Sequence, residues 1–218
     1  LGYKEFGKRI VFFASVGRAF YADTSPGDGY LQVEVNDNQT NNIQRDALLA
    51  KLKAYEESPK DYMDKCTESD LNKCPYIVNA GLTPTAGTLE TTISYFKGIY
   101  AQDGPAFASP IQAGAATCQK NFVVYVTDGL PSVDENGIEG NADALIPTVL
   151  DKLRALRNLG MTIGGKPYTY DIPTYIVGAG LTSEAKAKLD AMAVAGGTDV
   201  EGHAYYASSE TQLQNALD

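Results

Sequence analysis

Asn121-Phe122-Val123-Val124-Tyr125-Val126-Thr127-Asp128-Gly129 is the stretch on which the reading of this chain turns. From Phe122 to Val126 every side chain is apolar, and Val123, Val124 and Val126 are β-branched. Such a run reads as a strand buried on both faces. It stops at Thr127-Asp128-Gly129, with Pro131 and Ser132 just beyond. Ligands of open α/β sheets bind beyond the carboxyl ends of the strands, so a parallel strand ending in a carboxylate is a common way to build a site. Asp128 stands where the chain leaves the sheet, and its charge can face solvent or a bound cation. Asp and Gly are also ordinary turn formers, and a plain turn is the other reading of these residues.

Downstream of this strand the pattern alternates. Residues 144–159 carry Leu145, Val149, Leu153 and Leu156 at helical spacing, with Gly160 as a C-terminal stop. Met161 to Lys166 reads as hairpin-like, and Ile172 to Gly180 as a further apolar strand that breaks at glycines. Gly178-Ala179-Gly180 is no dinucleotide fingerprint, because Ser183 stands where the third glycine should be. Residues 183–195 read as a helix ended by Gly196-Gly197, and Ala204 to Ala207 as a short last strand. Ser208 or Ser209 then caps a helix over 210–217. Helix and strand in alternation predict an α/β fold, a doubly wound and mainly parallel sheet with helices on both faces.

Upstream, residues 8–16 read as a central strand, and Tyr30-Leu31-Gln32-Val33-Glu34-Val35 alternates as a half-exposed strand antiparallel to it. Ile43, Ala47, Leu48, Leu52 and Tyr55 predict a helix over 43–55. Residues 56–80 and 101–118 read as two long insertions in a single domain spanning 1–218. Between them Thr83-Pro84 starts a helix that runs to about Ile99, with Thr83 as N-cap and Pro84 at the first helical position.

Composition removes several function classes. With 27 acidic and 18 basic residues the net charge is −9, which argues against a nucleic-acid surface and against docking on anionic lipid. No apolar run approaches the roughly 18 residues that span a bilayer, and Leu1-Gly2-Tyr3-Lys4 does not read as a signal peptide. Cys66 and Cys74 flank a short polar loop and are spaced to close a small disulfide ring, while Cys118 stays an unassigned thiol. That pattern favours an oxidising compartment, and three reduced cysteines in a cytosolic protein are the alternative.

No catalytic signature stands out. His203 is the single histidine, in a Gly-rich polar loop, and there is no Gly-x-Ser-x-Gly elbow for a Ser/His/Asp arrangement. No phosphate loop is present. Asp134, Asn136 and Asp143 lie in an acidic loop that fails the EF-hand pattern and reads as a solvated loop. What remains is an oxygen-only cation site. Thr83 precedes one helix and Asp128 ends one strand, and a doubly wound sheet can bring both to the same edge. A hydroxyl and a carboxylate there suit magnesium, manganese or calcium, with a third loop needed to complete the set.

Leu82-Thr83-Pro84 before a helix, Cys118 to Pro131 around the anchor strand, and Tyr175-Ile176-Val177-Gly178-Ala179-Gly180 resemble a von Willebrand factor A domain. More narrowly they look like the N-terminal A domain of the PilC/PilY family, found at type IV pilus tips. The resemblance implies a metal-ion-dependent adhesion site, with Thr83 matching the threonine of its second loop and Asp128 the aspartate of its third. The first loop of that family, Asp-x-Ser-x-Ser, has no proper match. Asp23-Thr24-Ser25-Pro26-Gly27 offers two of its ligands but puts Gly27 in place of the last serine, and a strand-like run follows it. That segment is read as a decoy, so the resemblance implies that the chain is part of a longer protein whose first strand lies outside it.

The function implied is non-enzymatic: adhesion or assembly at a pilus tip, outside the cell or at the outer membrane. The partner would be pilus subunits or a host or surface protein, contacted through a divalent cation. A structural assembly module with a degenerate metal site is the alternative. A metal-assisted hydrolase using Asp128 comes third, because no general base is recognisable.

Overall fold

The computed structural model describes residues 12–14, 29–33, 46–47, 50, 82–101, 104–111 and 119–207. The first pair of strands, β1 (Phe12–Ala14) and β2 (Tyr30–Val33), is antiparallel, as the sequence predicts. Residues 46–47 and 50 are helical, within the helix expected over 43–55. Cys66, Cys74 and Cys118 lie outside the described residues, as do Asp23-Thr24-Ser25 and the helix expected over 210–217.

The centre of the described structure is a parallel sheet of β3 (Val123–Thr127), β6 (Thr174–Ala179) and β7 (Tyr205–Ala207), in that order. Tyr125 pairs with Ile176, and Gly178 with Tyr206. Between β3 and β6 the chain forms α2 (Ala142–Arg157) and an antiparallel hairpin of β4 (Leu159–Ile163) and β5 (Lys166–Tyr170) turning at Gly164 and Gly165. Helix α3 (Ser183–Gly196) joins β6 to β7, and α1 (Thr85–Phe96) precedes β3. The protein is therefore α/β with a mainly parallel sheet.

Apolar periodicity builds the core. Leu89, Ile93 and Phe96 of α1, Val149, Leu153 and Leu156 of α2, and Leu189 and Met192 of α3 form one buried cluster with Ile176. All three helices thus join one core with the sheet. Gly178, which the sequence suggests as a break, lies inside β6 and is buried. A Cβ there would meet Leu189 Cδ2 at 2.7 Å, so the missing side chain lets α3 close onto the strand. Helices α2 and α3 each begin with a side-chain cap: Asn141 accepts from Ala144 N and Thr182 from Ala185 N.

Three expectations are corrected. Strand β3 is not buried on both faces. Val123 and Tyr125 are half-buried, while Phe122, Val124 and Val126 are 44%, 37% and 51% exposed. An apolar run cannot reveal which faces are covered, since that depends on what packs alongside. Pro84, not Thr83, is the N-cap of α1, and no side chain caps that helix, which ends at Phe96. Gly160 does not stop α2; the helix ends at Arg157 with Asn158 as C-cap, and Gly160 is already in β4.

Candidate functional site

The C-terminal edge of β3 faces the start of α1. Thr83 O accepts from Thr85 N at 3.0 Å and from Ser132 N at 3.1 Å. In return Thr83 N donates to Ser132 Oγ at 2.8 Å. These reciprocal bonds latch the loop before α1 to the loop after β3. The latch explains why Thr83 is not the N-cap: its backbone is taken by Ser132, and its side chain is left out of the helix.

Beneath the latch the two elements are also tied. Thr85 Oγ1 and Tyr125 Oη share a hydrogen bond of 2.8 Å. Burial pushes the Tyr125 hydroxyl up from its ordinary value, with the Thr85 hydroxyl working in the opposite direction. Tyr125 therefore stays a neutral strut. The turn after β3 is organised by Thr127, whose Oγ1 donates to Gly129 O at 2.8 Å and accepts from Gly129 N at 3.2 Å. The turn reading of Thr127-Asp128-Gly129 thus holds, and the turn sits at the sheet edge.

Two oxygen-bearing groups are left over at this edge. The Thr83 hydroxyl makes no hydrogen bond among the described residues, and a Cβ built on Gly129 would lie 3.7 Å from Thr83 Oγ1. Asp128, on the residue before Gly129, is exposed and has no ion-pair partner among the described residues. Thr83 and Asp128 are therefore on adjoining, mutually latched loops. Oxygen donors of this kind suit a hard cation. One carboxylate with neutral hydroxyls is a partial set, and among the described residues no three His, Cys, Asp or Glu side chains form a metal-holding group.

The other sequence candidates separate from this edge. Asp134 spends its carboxylate on its own loop: Oδ1 accepts from Asn136 N and Ile138 N, each at 2.8 Å. The Ile138 amide, with lesser help from Asn136, holds its carboxyl below the ordinary range. Asp143 pairs with Lys188. Asp134 and Asn136 thus sit in a self-bonded loop, while Asp143 lies in the first turn of α2 and is paired to α3. His203 is exposed, with Nδ1 3.1 Å from Asp190 Oδ2.

Sequence reasoning missed the function of Ser132, which is the latch, and the Thr85–Tyr125 pair. A serine just past a strand end was the available signal for the first. Nothing local marks the second, because the two residues are 40 positions apart. No family model, curated protein or solved structure matches the chain.

Proposed function

We propose that this chain is a non-enzymatic adhesion or assembly domain of a type IV pilus tip-associated protein, on a von Willebrand factor A-like plan, with Thr83 and Asp128 as residues of a divalent-cation site. The supporting observation is the latched edge, where Ser132 fixes the Thr83 loop against the loop that carries Asp128. Asp128 supplies the charge and Thr83 a neutral oxygen, while Ser132 and Tyr125 hold the two loops in place. A bound magnesium, manganese or calcium ion would offer an open coordination position to a carboxylate of the partner. That partner is a pilus subunit or a host or surface protein, met outside the cell or at the outer membrane.

A second reading, an assembly module with a degenerate metal site, is favoured by the single carboxylate at this edge. A hydrolase reading fares worse, since the chain's one histidine is engaged with Asp190 in the loop before β7. Calorimetric titration of magnesium, manganese and calcium separates the first two. The adhesion reading expects binding to the wild-type chain that is lost in Asp128→Ala. Absence of heat with all three cations would leave the assembly module standing.

A further inference from the structure

Asn136-Gly137 is the only Asn-Gly step in the chain, and the fold places it at the tip of a tight hairpin. Val133 bridges Glu139. Asp134 N donates to Ile138 O at 3.0 Å, and Gly137 N to Asp134 O at 3.1 Å. Gly137 has φ 76°, the left-handed conformation that a three-residue hairpin loop asks of its last residue. The glycine that the turn demands also leaves the Gly137 nitrogen without a side chain of its own to shield it. Asn136 is exposed, so its carboxamide is open to water.

These neighbours form an electrophile and a nucleophile. Attack of the Gly137 nitrogen on Asn136 Cγ forms a C–N bond and closes a five-membered cyclic imide. The Cγ–Nδ2 bond breaks, and ammonia leaves with the proton from Gly137. Water then opens the ring. Cleavage of the new bond to Cγ leaves aspartate, and cleavage of the bond to the main-chain carbonyl leaves isoaspartate. Water is the sole co-reactant.

The hairpin holds both groups back from that step. The Gly137 N–H is committed to Asp134 O and must give up that bond before its nitrogen can attack. Asp134 Oδ1 accepts from Asn136 N and Ile138 N, each at 2.8 Å, and so grips the chain on both sides of the Asn-Gly step. The Asn136 side chain adds a lesser bond to the same carboxylate. Hydrogen bonds to a charged acceptor are the stronger kind, so Asp134 sets how often this turn opens.

We propose that Asn136 is a self-modification site, converted through a cyclic imide to aspartate or isoaspartate, and that the Asp134 carboxylate gates the conversion by keeping the turn closed. The base of this hairpin is Ser132, whose O accepts from Gly140 N at 3.0 Å and whose amide and hydroxyl hold Thr83. Isoaspartate inserts a methylene into the backbone of the hairpin and shifts the register that carries the latch.

Peptide mapping by mass spectrometry on the full 218-residue chain, aged at neutral pH without divalent cations, tests this independently of the cation reading. A synthetic peptide of residues 132–140 supplies the rate without the hairpin. Conversion at Asn136 in the wild-type chain is expected to be at least about tenfold slower than in the peptide. Asp134→Ala is expected to speed it by about tenfold, with the other asparagines unchanged. Asp134→Asn, which keeps an acceptor oxygen without the charge, is expected to fall between. Wild type converting as fast as the peptide, Asp134→Ala converting no faster than wild type, or an acceleration spread over all the asparagines would each overturn the proposal.

Discussion

Asp190 shows how one side chain closes a whole segment. Its Oδ1 accepts from Ala204 N at 2.8 Å and from Tyr206 Oη at 2.5 Å, and Oδ2 meets His203. Burial pushes this carboxyl up, but the Tyr206 hydroxyl, the Ala204 amide and His203 together hold it below the ordinary value. A depressed folded-state pKa contributes stability above the unfolded value that is lost as pH falls through the folded one. Thermal unfolding midpoints should therefore drop below about pH 4, and more shallowly in Asp190→Asn than in wild type. Gly197 carries a second test. It caps α3 at φ 69° and lies against the Arg157 guanidinium, which pairs with Asp171. Gly197→Ala should cost roughly 1–2 kcal/mol in denaturant unfolding, because the backbone is left-handed and Arg157 must move. At this scale the sequence was partly legible. Thr83 and Asp128 were expected at one sheet edge and lie on adjoining loops there. The capping role of Thr83 was not legible, since it was decided by Ser132, 49 positions away.

At the scale of elements, the connection between α1 and β3 is chemical as well as apolar. Thr88 Oγ1 donates to Pro84 O and Thr92 Oγ1 to Thr88 O, so these two buried threonines are satisfied along the helix, while Thr91 Oγ1 accepts from Gly29 N. Thr85 is different and spends its hydroxyl on Tyr125. Tyr125→Phe leaves the Thr85 hydroxyl buried without that partner and should cost about 1–2 kcal/mol. Thr85→Val together with Tyr125→Phe should cost less than the sum of the two singles, as chemical denaturation of the four-member set would show. Helices α2 and α3 and the β4–β5 hairpin were readable because their apolar periods are long and local. The faces of β3 were not, since an unbroken run of apolar residues is the same string whether one face or two are covered. Gly160 misled for a related reason: a glycine after a helix reads as a stop, whereas here Asn158 ends the helix and the strand begins at Leu159.

For the whole molecule, alternation of helix and strand across residues 121–207 was enough to predict the parallel sheet, and the order β3-β6-β7 agrees with it. The described helices account for one core. Val177 and Ala207, which by strand alternation point to the other side of the sheet from Ile176 and Tyr206, are buried as well. The latched edge is the global consequence of this topology, because it needs β3 to run toward the start of α1. Loosening the latch should therefore affect binding before it affects the core. Ser132→Ala is expected to lower stability by about 1 kcal/mol while weakening cation binding. The measurement that tests the central claim most directly is electron paramagnetic resonance of manganese titrated into the chain, with Asp128→Ala and Asp134→Ala beside it. The account predicts loss of the free-ion signal with wild type and with Asp134→Ala, and a persistent free-ion signal with Asp128→Ala. A free-ion signal undiminished by wild type, or diminished equally by Asp128→Ala, would contradict a cation site built on Thr83 and Asp128.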